Sequence, residues 1–280
     1  MGAFVEQVAA SDSKLLWLDD ADYSAALLAG GAPPWLDATA YVAWRRKAQS
    51  LLKSNVIAVP VARIFSSWLA NDAPLRAASG AKTRANFPLK TMLAAVDLRR
   101  HLAEIIVGLR SSFPMLAVAL VCPSPRAWVG DAYHSAFGDA AEIEVGEDEV
   151  DAATLHSADF LREFGGSGID TVLLEESAQS EPATTAEIEW YRSVLNVGTH
   201  YRWDMGLRLP GDRFAGDDPG GFSYVVGPKP FGAPCFGRVV ADEFWRGGDA
   251  DISPPYDFSF SRIPSDIEPE VVLDRLALLR

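Results

Sequence analysis

Short apolar, β-rich runs alternate with longer helix-like stretches along most of this 280-residue chain. This alternation constrains the fold more than any other feature, because parallel strands in one sheet have to be joined by crossover connections, which are usually helical. At least six strand and helix units are indicated. The clearest predicted strands are residues 14–18 (KLLWL), 56–63 (VIAVPVAR), 116–121 (LAVALV) and 169–174 (IDTVLL), and weaker ones are residues 202–209, 222–226 and 258–263.

The predicted connecting helices carry apolar residues at helical spacing. Residues 91–109 predict one continuous helix, and His101 on its apolar stripe is interpreted as a core or boundary residue. Residues 185–195 predict a second helix, capped at its start by a threonine. Residues 269–279 predict a closing amphipathic helix with a proline in its first turn.

Together these elements predict an α/β fold of the (β/α)8 barrel type, formed by residues 1–280 as a single domain. No internal repeat, low-complexity tract or linker divides the chain. An open, doubly wound sheet is the alternative. No GxGxxG or GxxxxGK[ST] pattern follows a predicted strand, so the usual nucleotide-binding reason for that architecture is missing. The barrel is therefore preferred.

Charge and hydropathy exclude several classes of partner. The formal net charge of −13 would repel a phosphate backbone, and no long basic cluster opposes it. The longest apolar runs fall far short of the roughly 20 residues that a membrane helix needs. The N-terminus lacks the basic start and apolar core of a secretory signal. We therefore expect a soluble protein of the cytoplasm with no nucleic-acid or membrane partner, in an oligomeric state that the sequence does not indicate.

In barrels of this type, functional groups come from the carboxyl ends of the strands and from the loops that follow them. We therefore expect a small-molecule site at that mouth. The predicted catalytic residues, which carry groups that move protons, are His200, Glu175, Glu176 and Asp204. The predicted substrate-binding residues, which are cations suited to an anion, are Arg63, Arg202, Lys229 and Arg262.

Glu175 and Glu176 directly follow the predicted strand at residues 169–174. Adjacent strand residues point to opposite faces, so both glutamates cannot look into the barrel if the strand continues through them. We expect the strand to end at Leu174, with one glutamate in the site and the other capping or pairing nearby. A structural ion pair is the alternative. His200 is the most suggestive of the four histidines, because polar and charged residues surround it in GTHYRWD.

The stretch IDTVLLEESAQSEPATTAEIEWYRSVLNVGTHYRWD resembles part of cobalamin-independent methionine synthase. In that family a strand ends in an Asp-Glu-Pro-Ala motif, and a Thr-His-x-Cys motif after the next helix supplies two zinc ligands. Residues 175–178 (EESA) match the first motif, and Thr199, His200 and Arg202 match the second. The closing stretch FSRIPSDIEPEVVLDRLALL is similar to the last strand and helix of the wider superfamily that includes uroporphyrinogen decarboxylase. The resemblance implies a barrel with its site at the carboxyl-end mouth.

The sequence departs from that family where the metal would bind. Arg202 stands in place of the zinc-binding cysteine of the second motif, and a guanidinium has no lone pair for a metal. The family's last cysteine ligand has no counterpart in FSFSRIP. Cys122 and Cys235 are the only cysteines, and each is interpreted as a small core residue. We therefore expect no metal and no cofactor, with a regrouping of His200, Cys235 and a glutamate as the alternative.

These features lead to the expectation of a metal-independent lyase, such as a decarboxylase, that acts on a small acidic organic molecule. Fixed cations would hold the anion and stabilise the developing negative charge, and His200 or a glutamate would move the proton. The decarboxylase of the wider superfamily supports this expectation by analogy alone. The alternatives are a methyl or alkyl transferase of the methionine synthase type and a non-catalytic binding barrel.

Overall fold

Eight parallel strands form a nearly closed barrel in a computed structural model of the chain. The structure describes residues 2–11, 13–179, 181–211, 214–216, 218–250 and 255–280. The strands are β1 (Leu15–Asp19), β2 (Val56–Pro60), β3 (Ala117–Pro123), β4 (Thr171–Glu175), β5 (Ala183–Thr184), β6 (Asp204–Arg208), β7 (Phe214–Ala215), β8 (Tyr224–Gly227), β9 (Phe236–Val240) and β10 (Phe258–Arg262).

The barrel strands follow one another around the ring in chain order, as β1-β10-β9-β8-β6-β4-β3-β2. The short strands β5 and β7 pair with each other in a separate two-stranded ladder. β1 and β2 stand at the two ends of the barrel ladder. Leu16 N donates to Asn55 Oδ1 at 2.8 Å, and Asn55 N donates to Leu16 O at 2.9 Å. These two hydrogen bonds link β1 to Asn55, which directly precedes β2, and so join the two ends of the ladder.

Helices join the strands and cover the outside of the barrel, as parallel pairing requires. The largest apolar cluster lies between these helices and the outer faces of the strands. The helices are α1 (Ala3–Ala10), α2 (Ala21–Ala29), α3 (Ala38–Leu52), α4 (Val61–Asn71), α5 (Ala73–Ser79), α6 (Phe87–Leu93), α7 (Val96–Ser112), α8 (Pro125–Phe137), α9 (Glu147–Arg162), α10 (Thr185–Glu189), α11 (Arg192–Tyr201), α12 (Asp242–Trp245) and α13 (Pro269–Leu278).

Alternation along β1 decides which side chains reach the barrel interior. Leu15 and Trp17 belong to the apolar cluster inside the barrel, whereas Leu16 and Leu18 belong to a cluster that packs beneath outer helices. Asp19, two residues beyond Trp17, therefore points inward where the strand ends. The same parity places the last residues of β4, β6 and β10 on the inner face of the mouth, which is the carboxyl end of the barrel.

The amino end of the barrel, called the base here, is closed by α1. Phe4 is 1% exposed and lies edge-on to the rings of Trp17, Tyr224 and Phe258, with centroid distances of 5.6, 5.1 and 5.4 Å. Edge-to-face rings contribute about 0.5–1.5 kcal/mol beyond their buried area. The N-terminal helix is therefore part of the barrel core.

The predicted (β/α)8 barrel is confirmed, and several predicted bounds are corrected. The strand expected at residues 56–63 ends at Pro60, because α4 begins at Val61. The helix expected at residues 91–109 is divided into α6 and α7. His101 lies buried in α7 as predicted, with Nε2 at 2.7 Å from the Trp35 carbonyl oxygen.

Strand β9 was not predicted from the sequence. Its residues FGRVV place a glycine and an arginine among only three apolar residues, which weakens the strand pattern. A Cβ on Gly237 would lie 2.4 Å from the Phe258 ring, so packing inside the barrel explains that glycine. Within the described part of the chain, no helix is both long and apolar enough to cross a membrane.

Candidate functional site

A cavity of about 100 Å³, called the mouth cavity here, lies at the carboxyl end of the barrel. Trp17 of β1 and Phe260 of β10, which are register partners, form its aromatic floor. This volume is well below the roughly 300–1,000 Å³ of pockets for drug-sized ligands. The cavity therefore suits a small molecule or the end of a larger one. The charged residues that line it are Asp19, Asp20, Arg45, Arg63, Glu175 and Arg262.

Two ion pairs between neighbouring strands frame the mouth cavity. Arg262 Nε donates to Asp19 Oδ2 at 2.9 Å, between the register partners that end β10 and β1. Arg208 Nη1 donates to Glu175 Oε1 at 2.5 Å, between the register partners that end β6 and β4. Each pair is made through one hydrogen bond. Among the described residues, none bonds to Asp19 Oδ1, Glu175 Oε2 or the terminal nitrogens of Arg262, so these atoms are open to a ligand.

Two further ion pairs are closed, because both carboxylate oxygens are already occupied. Arg45 of α3 binds Asp20 in a bidentate way, at 2.9 and 2.8 Å, and both side chains are only 4% exposed. Arg63 binds Asp22 through both terminal nitrogens, with Nη2 at 2.7 Å from Oδ2. Bidentate pairs of this kind hold their geometry well. They shape the wall of the cavity and leave the two single-contact pairs as its adaptable part.

Two buried N–H donors on cavity-lining residues lack an acceptor among the described residues. These are Trp17 Nε1 and Arg45 Nε. The two side chains belong to residues that are only 1% and 3% exposed. Both nitrogens are themselves buried, so neither faces the open volume of the cavity. Other buried side-chain atoms, such as Tyr41 Oη and Ser157 Oγ, also lack a partner among the described residues, so this feature does not mark the cavity. The groups that the cavity offers to a ligand are therefore the open atoms of its two single-contact ion pairs.

Opposite charges at the mouth shift one another's pKa values toward the ionised forms. Burial lowers the pKa of Arg63, but the hydrogen bond and charge of Asp22 raise it by more, so its pKa lies above the usual value. The same hydrogen bond lowers the pKa of Asp22 against the effect of burial. Burial likewise lowers the pKa of Arg262, while Asp19, with help from Glu175, raises it overall. Arg63, Asp22 and Arg262 are therefore charged at neutral pH.

The structure brings three of the predicted site residues together in the mouth cavity: Arg63, Glu175 and Arg262. β4 continues through Glu175, one residue beyond the predicted end at Leu174, and so carries that carboxylate inward. Arg63 lies in the first turn of α4 rather than at a strand end. Whether these three residues act on a substrate stays a prediction.

Glu176 does not line the cavity and is buried behind it. Its Oε1 accepts from the Tyr191 hydroxyl at 2.6 Å, and its Oε2 accepts from Arg126 Nη2 at 3.2 Å. Burial first, then the charge of Glu176, raises the pKa of Tyr191 well above its usual value. Arg126 Nη2 also donates to the Glu181 carbonyl oxygen at 2.7 Å. This cluster ties the loop after β4 to the start of α8.

His200 and Arg202 lie far from their expected places at the mouth. Residues 192–201 form α11, whose C-terminal end leads into the start of β6 and therefore lies on the base side of the barrel. His200 is exposed, with its ring 4.7 Å from that of Tyr201, and Arg202 is the exposed C-cap. The expectation that both face the mouth is wrong, because helical structure extends to Tyr201.

Asp204 also lies at the base, because it is the first residue of β6 rather than the last. It is 1% exposed, and its carboxylate accepts from Gly2 N at 2.9 Å and from Val5 N at 2.8 Å. These N–H groups belong to the start of α1, where a negative charge stabilises the helix. Its expected position at the mouth is therefore corrected, and its contacts hold α1 in place.

Lys229 follows β8 on the mouth side but is exposed and does not line the mouth cavity. Its Nζ lies 4.9 Å from the centroid of the Phe231 ring, in a cation–π contact. The expected convergence of Lys229 with the arginines of the cavity is not found.

The residues of the chain do not fit the thiolate zinc site that the sequence resemblance implies. Cys122 and Cys235 are free and buried, in separate apolar clusters. Burial raises the pKa of Cys235 to about 12 and that of Cys122 higher still. In the described ranges, no group of three or more His, Cys, Asp or Glu residues is arranged to hold a metal. The regrouping of His200 with Cys235 is also not found, and the absence of a bound metal stays a prediction.

Sequence reasoning missed three of the six charged residues that line the mouth cavity. Asp19 and Asp20 directly follow the predicted strand KLLWL, so the strand-end rule applied to that strand would have found them. Arg208 ends β6 in the same way. Trp17 could have been found from the alternation along β1. Arg45 carries no local signal, because it reaches the cavity from the middle of α3.

Neither a protein family nor a curated protein matches the chain in sequence. Among solved structures, a methyltransferase from Methanosarcina mazei is similar, with a TM-score of 0.58 and 12% sequence identity over 95% of this chain and 93% of that chain. At this identity the likeness shows the fold alone, and it fits the wide group of (β/α)8 barrels. The methionine synthase and uroporphyrinogen decarboxylase resemblance is not confirmed as the particular family.

The structural comparison corrects the main functional expectation from the sequence. A metal-independent lyase was expected, but the similar structure is that of a methyltransferase. The lyase expectation is therefore not kept. The cavity supports the same correction, because the predicted proton-moving group His200 lies on the opposite side of the barrel.

Proposed function

We propose that this chain is an enzyme that transfers a methyl or small alkyl group at the mouth of the barrel. The observation that supports this most is the composition of the mouth cavity. Two inward carboxylates, those of Asp19 and Glu175, stand over an aromatic floor of Trp17 and Phe260. The likeness to a methyltransferase over nearly the whole of both chains supports the same class of reaction.

This composition suits a methyl group that is activated by a positive charge on its nitrogen or sulfur. Such a cation is attracted to the faces of aromatic rings and to carboxylates, more strongly where water is excluded. Trp17 and Phe260 are 1% and 2% exposed, so their rings lie in a largely water-free part of the barrel. The cavity of about 100 Å³ leaves room for a small group and little else.

In the proposed step, the lone pair of an acceptor atom forms a bond to the methyl carbon. The bond from that carbon to the donor nitrogen or sulfur breaks, and its electron pair stays on the donor atom, which loses its positive charge. Where the acceptor is a thiol or an amine, its proton passes to a carboxylate. Glu175 is the residue that we assign to this role, because its Oε2 is open while Arg208 holds Oε1.

The test measures transfer of a labelled methyl group by the purified full chain. The donors are methyl-labelled S-adenosylmethionine and trimethylglycine, each offered with a panel of small thiols and amines. We expect label to reach one acceptor, and we expect Glu175→Gln to lower the rate by about 10²-fold or more, as loss of a general base does. His200→Ala is the control and should keep the full rate, because His200 is exposed on α11.

Two results would count against the proposal. One is the absence of transfer from both donors, which would leave a non-catalytic binding barrel as the better description. The other is transfer that Glu175→Gln does not slow, since the reaction would then not use the mouth cavity as proposed.

A further inference from the structure

The mouth cavity carries as many negative as positive side chains. Its charged lining residues are three carboxylates and three guanidinium groups. A simple anion or a simple cation would meet as much repulsion as attraction there. A molecule that carries both charges meets attraction at both ends, provided that its charges match the arrangement of the walls.

The two single-contact ion pairs lie on opposite sides of the barrel mouth. One pair joins β10 to β1 (Arg262 with Asp19), and the other joins β6 to β4 (Arg208 with Glu175). Two strands separate the pairs on either side of the ring. The pairs meet over the floor, because Arg208 Cζ lies 5.0 Å from the centroid of the Phe260 ring. Each pair uses one hydrogen bond and so keeps capacity for a ligand.

We propose that the mouth cavity binds a small zwitterion that carries a carboxylate and a quaternary ammonium or sulfonium group. The carboxylate accepts from the terminal nitrogens of Arg262. The positive group lies between Asp19 and Glu175, above the aromatic floor. The inference rests on the proposed function in naming this zwitterion as the methyl donor, but binding is tested without any transfer.

The decisive measurement compares ligands of one shape and different charge by calorimetric titration at neutral pH. Trimethylglycine is compared with 3,3-dimethylbutanoate, which replaces the charged nitrogen by carbon, and with trimethylglycine amide, which removes the carboxylate charge. A longer pair, γ-butyrobetaine and 5,5-dimethylhexanoate, covers a wider separation of charges. We expect one zwitterion to bind roughly tenfold or more tightly than the analogues that lack one of its two charges.

Two arginine variants test the assigned cation. Arg262→Gln removes the charge that holds the ligand carboxylate, so it should weaken zwitterion binding by about tenfold or more. Arg246→Gln is the matched control, because Arg246 pairs with Asp266 on the surface and does not line the cavity. Its binding constant should stay unchanged.

Several outcomes overturn the inference. Equal binding of a zwitterion and its carbon analogue would make the cavity a plain anion site, and equal binding of the amide would make it a cation site. Absence of binding by both zwitterions, or equal binding by wild type and Arg262→Gln, would also reject it. The proposed function fails separately, since a zwitterion that binds without giving up a methyl group contradicts the transferase and leaves the ligand assignment standing.

Discussion

At the base of the barrel, buried polar groups are paired and the interior is filled, whereas at the mouth donors and acceptors are left open around a cavity. Asp204 at the base accepts two backbone N–H groups, and Thr171 Oγ1 lies within hydrogen-bonding distance of Asp204 O and of Tyr224 Oη, at 2.7 and 2.8 Å. At the mouth, Asp19 and Glu175 each have one open oxygen. The same strands therefore begin in a structural seal at the base and end around an open cavity at the mouth.

The difference between the two ends indicates which carboxylates stabilise the fold and which are available to a ligand. Carboxylates with complete hydrogen bonding at the base should matter to folding, and carboxylates with spare capacity at the mouth should matter to ligands. Residue type does not distinguish them, because both ends use aspartate on the inner face of a strand. Substitutions at the two ends therefore test this difference directly.

The largest effect is expected from Phe4→Ala at the base. Phe4 is 1% exposed, and its ring packs against three other rings inside the barrel. Loss of a buried phenylalanine costs about 3–5 kcal/mol of unfolding free energy. Denaturant titration measures this cost, and Met115→Ala, at a residue that is 86% exposed, is the control that should change little. A small loss for Phe4→Ala would mean that α1 does not seal the base.

A matched pair of Asp→Asn variants gives the next largest effect. Asp204→Asn should lower the unfolding free energy by about 2–3 kcal/mol, because an amide cannot accept both N–H groups of α1. Asp19→Asn should cost at most about 1 kcal/mol, since its ion pair is partly exposed. Its side chain and that of Arg262 are 23% and 45% exposed.

Ligand binding should respond to this pair of variants in the reverse order. Asp19→Asn should weaken binding of a zwitterion, whereas folded Asp204→Asn should bind it normally. Thermal unfolding and calorimetric titration of both variants check this crossed pattern. Weakened binding by folded Asp204→Asn, with normal binding by Asp19→Asn, would refute the division between the two ends.

The fold could be predicted from the sequence because it depends on a repeated pattern. The runs at β1, β2, β3 and β4 are apolar and end sharply, and they alone indicate parallel strands with crossovers. β9 was not predicted because an inward glycine and a neighbouring arginine weaken its apolar pattern. Packing against Phe258 decides that position, and such a contact is invisible in one sequence.

The site could be predicted only where strand ends were identified correctly. Glu175 and Arg262 were found because their strands end within one residue of the predicted ends. His200 and Asp204 were both assigned to the mouth, whereas GTHYRWD ends α11 and starts β6 and therefore lies on the base side. The type of a residue says little about its function until the direction of the chain at that point is known.

A smaller effect is expected on thiol reactivity, which reports on the seal of the base. At pH 8 the thiol of Cys235 is protonated, because burial raises its pKa to about 12. Only a thiolate reacts quickly, so Ellman's reagent should leave both native thiols unmodified and should modify both after unfolding. In Phe4→Ala, Cys235 should react before Cys122, because only Cys235 shares the interior cluster with Phe4. Mass spectrometry identifies the labelled cysteine, and labelling of Cys122 first would argue against a local opening.

The smallest effects are expected at the end of α11. Arg202 has φ 60°, in the left-handed region that costs most residues about 1 kcal/mol and glycine almost nothing. Arg202→Gly should therefore keep or slightly raise the unfolding free energy, by about 0.5 kcal/mol once the greater freedom of an unfolded glycine is included.

Zwitterion binding should be unchanged in Arg202→Gly, because the side chain points to solvent on the base side. His200→Ala should likewise alter neither stability nor transfer. Calorimetric titration and denaturant unfolding of both variants test the point. A loss of binding in either variant would mean that the end of α11 reaches a ligand, and the functional division between mouth and base would then have to be abandoned.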